Sequence, residues 1–262
     1  MSTFRMRGVL AGLVCAALTG CAAVGPEPDP ADPWESGNRT VFAVNDAVDK
    51  AIVRPVSELY AFLVPSPIRT CVHNAFINLT EPWAGVNSLL QDRGHDAVNT
   101  WGRFLFNSTM GLGGCIDVAT MNGQPRIPND FGITLGVWGV PSGPYVVLPI
   151  IGSSTVRDSV ALVPDLYGNQ LATVGLINDV PLRNTLWGLE FVSRREALLP
   201  VSKVVDSTAL DPYIFVRDAY LQRREAMIRE KLGIAEELPN YEDDEALEAD
   251  EKALGITQEK TQ

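Results

Sequence analysis

The chain has 262 residues, 46% of them hydrophobic, and a formal net charge of −11 from 21 Lys and Arg against 32 Asp and Glu. Its length suits one sizeable domain, and its acidity excludes a nucleic-acid partner, which would need clustered Lys and Arg to replace counterions. Only His73 and His95 are present, in different segments, so no metal-ligand spacing such as H-E-x-x-H occurs and no metal or other cofactor is expected.

Residues 1–20 read as a targeting leader. Arg5 and Arg7 make a basic start, and Val9 to Leu18 make an apolar run too short to span a bilayer comfortably. The run ends in Leu18-Thr19-Gly20-Cys21, which resembles the bacterial lipobox, whose cysteine is lipidated and becomes the new N-terminus. The alternative is an ordinary secretory signal with a chance cysteine. Ala22 follows Cys21; in lipoproteins a residue other than Asp there implies passage to the outer membrane, with anchoring on the periplasmic side. Several acyl chains on one cysteine hold firmly where a single chain is marginal. Cys15 leaves with the leader, so Cys71 and Cys115 remain in an oxidising compartment. A Cys71–Cys115 disulfide is expected there, and two small buried hydrophobes are the alternative.

Residues 21–33 comprise the lipid site and a stiff, Pro-rich tether. The folded region spans residues 34–232. Asp32-Pro33-Trp34-Glu35 leads into a helix with Val41, Phe42, Val44, Val48 and Ile52 on one face, which Arg54-Pro55 should end or kink. Ser66-Pro67 predicts the next start, with the Ser66 hydroxyl as cap. Glu81-Pro82 should break that helix, and Ala84 to Gln91 should resume it. A further helix is expected over Asp96 to Met110, a turn at Gly111-Leu112-Gly113-Gly114, and a short helix ending at Met121.

Phe131 to Val156 contains no charged side chain. Pro141, Pro144 and Pro149 rule out a straight transmembrane helix, because each removes a backbone donor and clashes with the preceding turn. Two readings remain from the residues: the centre of a soluble core, or a broken apolar segment at membrane depth, shielded by protein or water. Tyr145 to Leu148 is the one candidate strand. Thr155 to Val163, Leu166 to Leu176 and Leu182 to Val201 look helical. Asp211-Pro212 is a clear start, and the helix it opens reads as packed through Tyr213, Val216, Tyr220 and Met227, with Arg217, Arg223, Arg224 and Arg229 on a solvated basic face. Residues 233–262 are acidic, with few aromatics, and read as a disordered tail. The fold class expected is mostly α, with little or no sheet.

Catalytic parts are missing. Gly152-Ser153-Ser154 has Val156 where a nucleophile elbow needs glycine, and no Lys-Ser or Lys-Thr follows Gly111–Gly114 as a phosphate loop requires. Cys71-Val72-His73 lacks the partners of a metal site. No enzyme activity is expected.

Asp32-Pro33-Trp34-Glu35, Val53-Arg54-Pro55-Val56, Arg103-Phe104 with Asn107-Ser108-Thr109, and Ile116-Asp117-Val118-Ala119 resemble the VacJ/MlaA family of outer-membrane lipoproteins. The resemblance continues in order through Phe131-Gly132, Thr134-Leu135-Gly136, Gly143-Pro144-Tyr145, Ser154-Thr155-Val156-Arg157-Asp158 and Asp211-Pro212-Tyr213. It implies a single helical domain arranged as a ring in the inner leaflet, beside a porin trimer. Such a ring removes phospholipids misplaced in the outer leaflet and hands them to a periplasmic carrier of the Mla pathway. A structural lipoprotein that scaffolds porin or envelope complexes is the alternative. On that resemblance Leu135, Val137, Trp138, Val140 and Tyr145 are expected on an apolar ridge at the channel. Trp34, Trp83, Trp101, Trp138 and Trp187 are candidates for headgroup level or, equally, for core packing. Cys71 and Cys115 lie outside the family pattern.

Overall fold

In a computed structural model, residues 29–172 and 177–234 are described. The leader, Cys21, most of the tether, the end of the Leu166–Leu176 segment and the acidic stretch beyond Ile234 lie outside them. Helix α1 (Glu35–Val48) runs into a π-helical turn (Asp49–Val53) and then α2 (Arg54–Leu63). The Arg54 N–H reaches the Asp49 carbonyl, five residues back. This wider turn lets the chain stay helical into Pro55, which sits in the first turn of α2, where a missing N–H leaves no bond unmade.

Helix α3 (Ser66–Leu90) starts at the expected place, but its cap position is Pro65 and no side chain caps it. It also continues through Pro82 as one 25-residue helix, against the expected break. Tertiary support explains the continuity. Helix α4 (Gly94–Thr109) packs antiparallel to α3 and clamps it on both sides of the proline. Trp101 Nε1 donates to the Pro82 carbonyl at 3.1 Å, and Asn78 Nδ2 to Ser108 Oγ at 2.9 Å. The indole seats over Gly85, where a Cβ would fall 2.2 Å from Trp101 Nε1.

Beyond α4 the Gly111–Gly114 turn places Leu112, Gly113 and Gly114 at φ of 54°, 72° and 90°. Cys115 follows and is disulfide-bonded to Cys71 of α3. Short α5 (Val118–Met121) and α6 (Phe131–Val137) come next; Asp130 caps α6 by accepting from the Ile133 N–H at 2.8 Å. Strands β1 (Tyr145–Leu148) and β2 (Gly152–Thr155) form an antiparallel hairpin, with Tyr145 opposite Thr155 and Leu148 opposite Gly152. Thr155 therefore ends a strand instead of opening a helix. Then come α7 (Val156–Ala172), α8 (Val180–Ala197), α9 (Leu199–Thr208) and α10 (Pro212–Leu232). Asp211 caps α10 by accepting from the Tyr213 and Ile214 N–H groups, and Gly233 stops it in the left-handed conformation. The fold is mostly α, with one small hairpin as its sheet. Among the described residues no helix is long and apolar enough to cross a membrane.

The Phe131–Val156 stretch thus folds as a short helix, a turn and a hairpin. Strand alternation turns Tyr145 and Val147 inward, where they join Tyr213 in a small aromatic cluster flanked by Phe42 and Tyr220. Tyr145 is completely buried, with its hydroxyl 2.8 Å from Ser153 Oγ. It packs in the interior apart from the other residues expected on the apolar ridge at the channel, because the parity of β1 that buries Val147 buries Tyr145 as well.

Candidate functional site

Among the described residues 19 polar or charged side chains are buried but only 10 hydrophobic ones, while 39 large hydrophobic residues are exposed. A domain surrounded by water shows the opposite, because a buried polar group left unpaired costs about 1–3 kcal/mol and large exposed apolar patches are rare. The interior along α3, α4, α6 and α10 is a hydrogen-bonded polar seam, and it divides into three groups.

The first joins α3 to α4 and to the loop after α5. Glu81, 1% exposed, lies 3.2 Å from Arg126 Nε and 3.6 Å from Arg103 Nε. Burial pushes its carboxyl above the usual range, and Arg126 and Arg103 only partly offset this. Arg103 also donates to both Asp117 oxygens, at 3.1 and 3.0 Å, and to Thr120 and the Gln124 carbonyl. Burial would raise the Asp117 carboxyl, but donors from Thr120, Asn107 and Arg103 bring it down to about 2.

The second group is neutral. Thr134 of α6 donates to Asn87 Oδ1 at 2.8 Å and accepts from Gln91 Nε2 at 2.8 Å, while Asn129 donates to Ser88 Oγ at 3.0 Å. Asn87, Ser88 and Thr134 are completely buried.

The third group gathers three carboxylates round one guanidinium, beside a cavity of about 140 Å³ lined by Asp130, Asp158, Asp165, Tyr220 and Arg224. Arg224 spans Asp130, at 2.5 Å, and Asp158, at 3.0 Å. Tyr220 donates to Asp158 Oδ2 at 2.7 Å. Burial would raise the Asp158 carboxyl, but Arg224, Tyr220 and Arg157 together hold it below the usual range. Asp165 moves the other way. Burial pushes it up against the Trp83 indole N–H at 2.7 Å and the Phe131 N–H at 2.8 Å, and Asp130 repels its charge.

This corrects the basic face expected on α10. Tyr213, Arg217, Tyr220, Arg224 and Ile228 share the inward face, with Arg217 paired to Asp29, Asp32 and Asp218, and only Arg223 and Arg229 of the four arginines remain exposed. Met227 is replaced in the buried row by Ile228. The signal was present in the sequence as a repeat of three and four residues linking the tyrosines and arginines. It was hidden because charge was read as solvation.

The expected ridge residues Leu135 and Val137 are half-buried on α6, and Trp138 and Val140 are exposed just beyond it. Trp138 donates from its indole to the Leu90 carbonyl at 2.9 Å and packs edge-on against Phe131. Together they form an apolar shoulder directly outside Thr134 and its polar partners. The tryptophans divide: Trp83 and Trp101 bond interior partners, while Trp34, Trp138 and Trp187 are about half exposed. Sequence reading missed Glu81, Asp130, Asp158 and Asp165.

Fold and site define a helical domain with a polar interior and an apolar exterior, suited to a lipid surface. The MlaA lipoprotein family model matches residues 30–227. The Escherichia coli (strain K12) intermembrane phospholipid transport system lipoprotein MlaA is 38% identical over 214 residues, covering 79% of this chain and 83% of that protein. The Haemophilus influenzae protein of the same description is 32% identical over 228 residues, covering 83% and 89%. A solved chain from work on the structural basis for maintenance of bacterial outer membrane lipid asymmetry matches with a TM-score of 0.63 and 35% identity, covering 75% of this chain and 98% of that one. The chain belongs to the MlaA lipoprotein family.

Proposed function

We propose that this protein carries phospholipid between membranes without altering it covalently. Anchored through Cys21 on the periplasmic side of the outer membrane, it takes phospholipids misplaced in the outer leaflet and passes them to a periplasmic lipid carrier, keeping the membrane asymmetric. The inverted distribution of polarity carries this reading. A phospholipid has a charged head and apolar tails, so its route needs polar groups inside and apolar surface outside. The chain supplies both in helices that lie at the interface instead of crossing it. Leu135, Val137, Trp138 and Val140 form the apolar lip over which the tails pass, and the Asp130–Asp158–Arg224 group faces the head. The lipid moves between environments, so direction comes from the downstream carrier. The exposed apolar helices rest against lipid and against a porin trimer.

Native mass spectrometry of the purified protein with labelled phospholipid tests this. Intact bound lipid is the expected result. Lyso-products would make the protein a hydrolase, and no bound lipid would leave it a scaffold for porin or envelope complexes. Val137→Asp and Val140→Asp are expected to slow lipid transfer at least about tenfold, a barrier increase of roughly 1.4 kcal/mol, with membrane anchoring unchanged. Wild-type transfer in both variants would remove the lip from the route.

A further inference from the structure

Helix α4 carries a feature that the polar interior does not use. Its outer face lines a groove of about 410 Å³ that includes His95, Val98, Asn99, Gly102, Phe106 and Met110. Ala119, Asn122 and Gln124 form the opposite wall. The groove changes character along its length. His95 and Asn99 stand in the first turns of α4, and Phe106 and Met110 at its far end. From His95 to Met110 the helix rises about 22 Å, against roughly 15 Å for the hydrocarbon depth of one leaflet.

We infer that this groove seats one acyl chain of a phospholipid, its head toward His95 and Asn99 and its tail end at Phe106 and Met110. Three observations select that occupant. Val98 and Met110 line the groove, and Leu105, Leu112 and Met121 lie within two residues of its lining in the chain; all five are at least 60% exposed, so the medium that covers them supplies what enters. Its floor is Arg103, whose charge is already taken by Asp117 and Glu81; the lining offers no unpaired Arg or Lys for an anion between His95 at one end and Met110 at the other, so the body of the groove selects for the tail. Its volume is at the lower end of the roughly 300–1,000 Å³ of small-molecule sites, which suits a single chain with the second left in the bilayer. The seat lies outside the polar interior and would hold a lipid next to the route. The inference rests on the lipid-facing reading above.

Gly102 provides the test. A Cβ added there meets nothing within 4 Å, and glycine inside a helix is the least favourable residue after proline, so Gly102→Phe starts from open space and directs its ring into the groove that Gly102 lines; an unchanged unfolding midpoint checks that the fold is kept. The protein is reconstituted in phosphatidylethanolamine vesicles containing a phosphatidylethanolamine with a diazirine on one acyl chain. Detergent then dilutes loosely held lipid before illumination. Crosslinks to residues 98–110 are expected to survive dilution, those at Phe62 on α2 to be lost, and Gly102→Phe to lower the former at least about tenfold. Val98→Asp, at a 70% exposed position, should do the same by a different chemistry. Unchanged crosslinking in both variants, or loss at α4 in step with α2, would overturn the seat. Lipid transfer to acceptor vesicles, measured on the same samples, separates the two readings. Transfer without groove labelling overturns the seat alone, and absence of both overturns the transport reading with it.

Discussion

Helices α2 and α3 are joined by only Val64 and Pro65, yet they answer to opposite surroundings. On α2, Val56, Leu59, Phe62 and Leu63 face outward, Phe62 with 85% of its surface free, while Ser57 is the residue it buries. On α3 the buried positions are Asn78, Glu81, Ala84, Gly85, Asn87 and Ser88. Each helix is amphipathic, and each is turned the wrong way round for water. The apolar stripe of a helix normally marks its core side; here it marks the exposed side, which is what the proposed lipid surroundings require. The polar stripe is then the costly one to assemble, because every buried group must find a partner. That is why α3 is stitched to α4, α6 and the loop after α5 by named hydrogen bonds instead of side-chain volume.

The contrast breaks most visibly at Arg224. Arg224→Met keeps the aliphatic stem but leaves Asp130 without its cation and Asp158 with Arg157 alone. We expect a loss of about 3–5 kcal/mol in denaturant unfolding measured in nonionic detergent, as for other buried charges deprived of a partner. A loss below about 1 kcal/mol would mean that water already screens the interior. The Cys71–Cys115 bond ranks next, since it ties the polar helix α3 to the chain after α4. Its replacement by two serines should cost about 2–4 kcal/mol, visible as a lower unfolding midpoint that reductant reproduces in the wild type and not in the variant. The outer face predicts a dissociation of two readouts. Phe62→Ser should change unfolding in detergent by less than about 0.5 kcal/mol while weakening vesicle partitioning of the unlipidated domain by about 1.5–3 kcal/mol. A similar loss in both assays would place Phe62 in a core and cancel the comparison.

Much of this was legible in the sequence where a local rule had no competitor. Asp211-Pro212 capped a helix as written, because cap and proline act within one turn. The hairpin strand Tyr145–Leu148 showed as a short run between prolines. Pro82 predicts a break because propensity is local, whereas α4, some 20 residues away, holds the helix across the gap through Trp101 and Ser108. The resemblance puts Tyr145 on the ridge with its neighbours in the chain, whereas its burial follows from parity in a strand whose partner the sequence does not mark. The candidate site was the least legible part. Asp130 caps α6 while Asp158 and Asp165 sit two turns apart on α7, and they acquire meaning only beside Arg224 of α10, a meeting set by tertiary packing. The bias of reading charge as exposed surface, sound for water, failed for the same reason that α2 and α3 look inverted.

The finest test of that inversion is Asp165, a carboxyl that the interior prefers neutral. Its folded pKa is raised, burial being the main cause. At low pH it is protonated in both states and contributes nothing. As pH climbs past its unfolded value, near 3.9, the unfolded chain releases the proton first, so stability falls until the pH exceeds the folded pKa and then stays level. Asp158 has the opposite sign: held below the usual range, it stabilises above its unfolded pKa, and that support is lost as pH drops through its folded value. Asp165→Asn keeps an oxygen for the Trp83 and Phe131 N–H groups, both of which go to Oδ1, and removes the titration, the repulsion from Asp130 and the smaller attraction to Arg224. The variant should therefore match the wild type at acid pH and become more stable by about 0.5–1 kcal/mol at neutral pH, with the acid limb from Asp158 unchanged in both. A variant that is less stable than the wild type at neutral pH would show Asp165 to be wanted as a charge, and the interior beside Arg224 would then be wet enough to carry it.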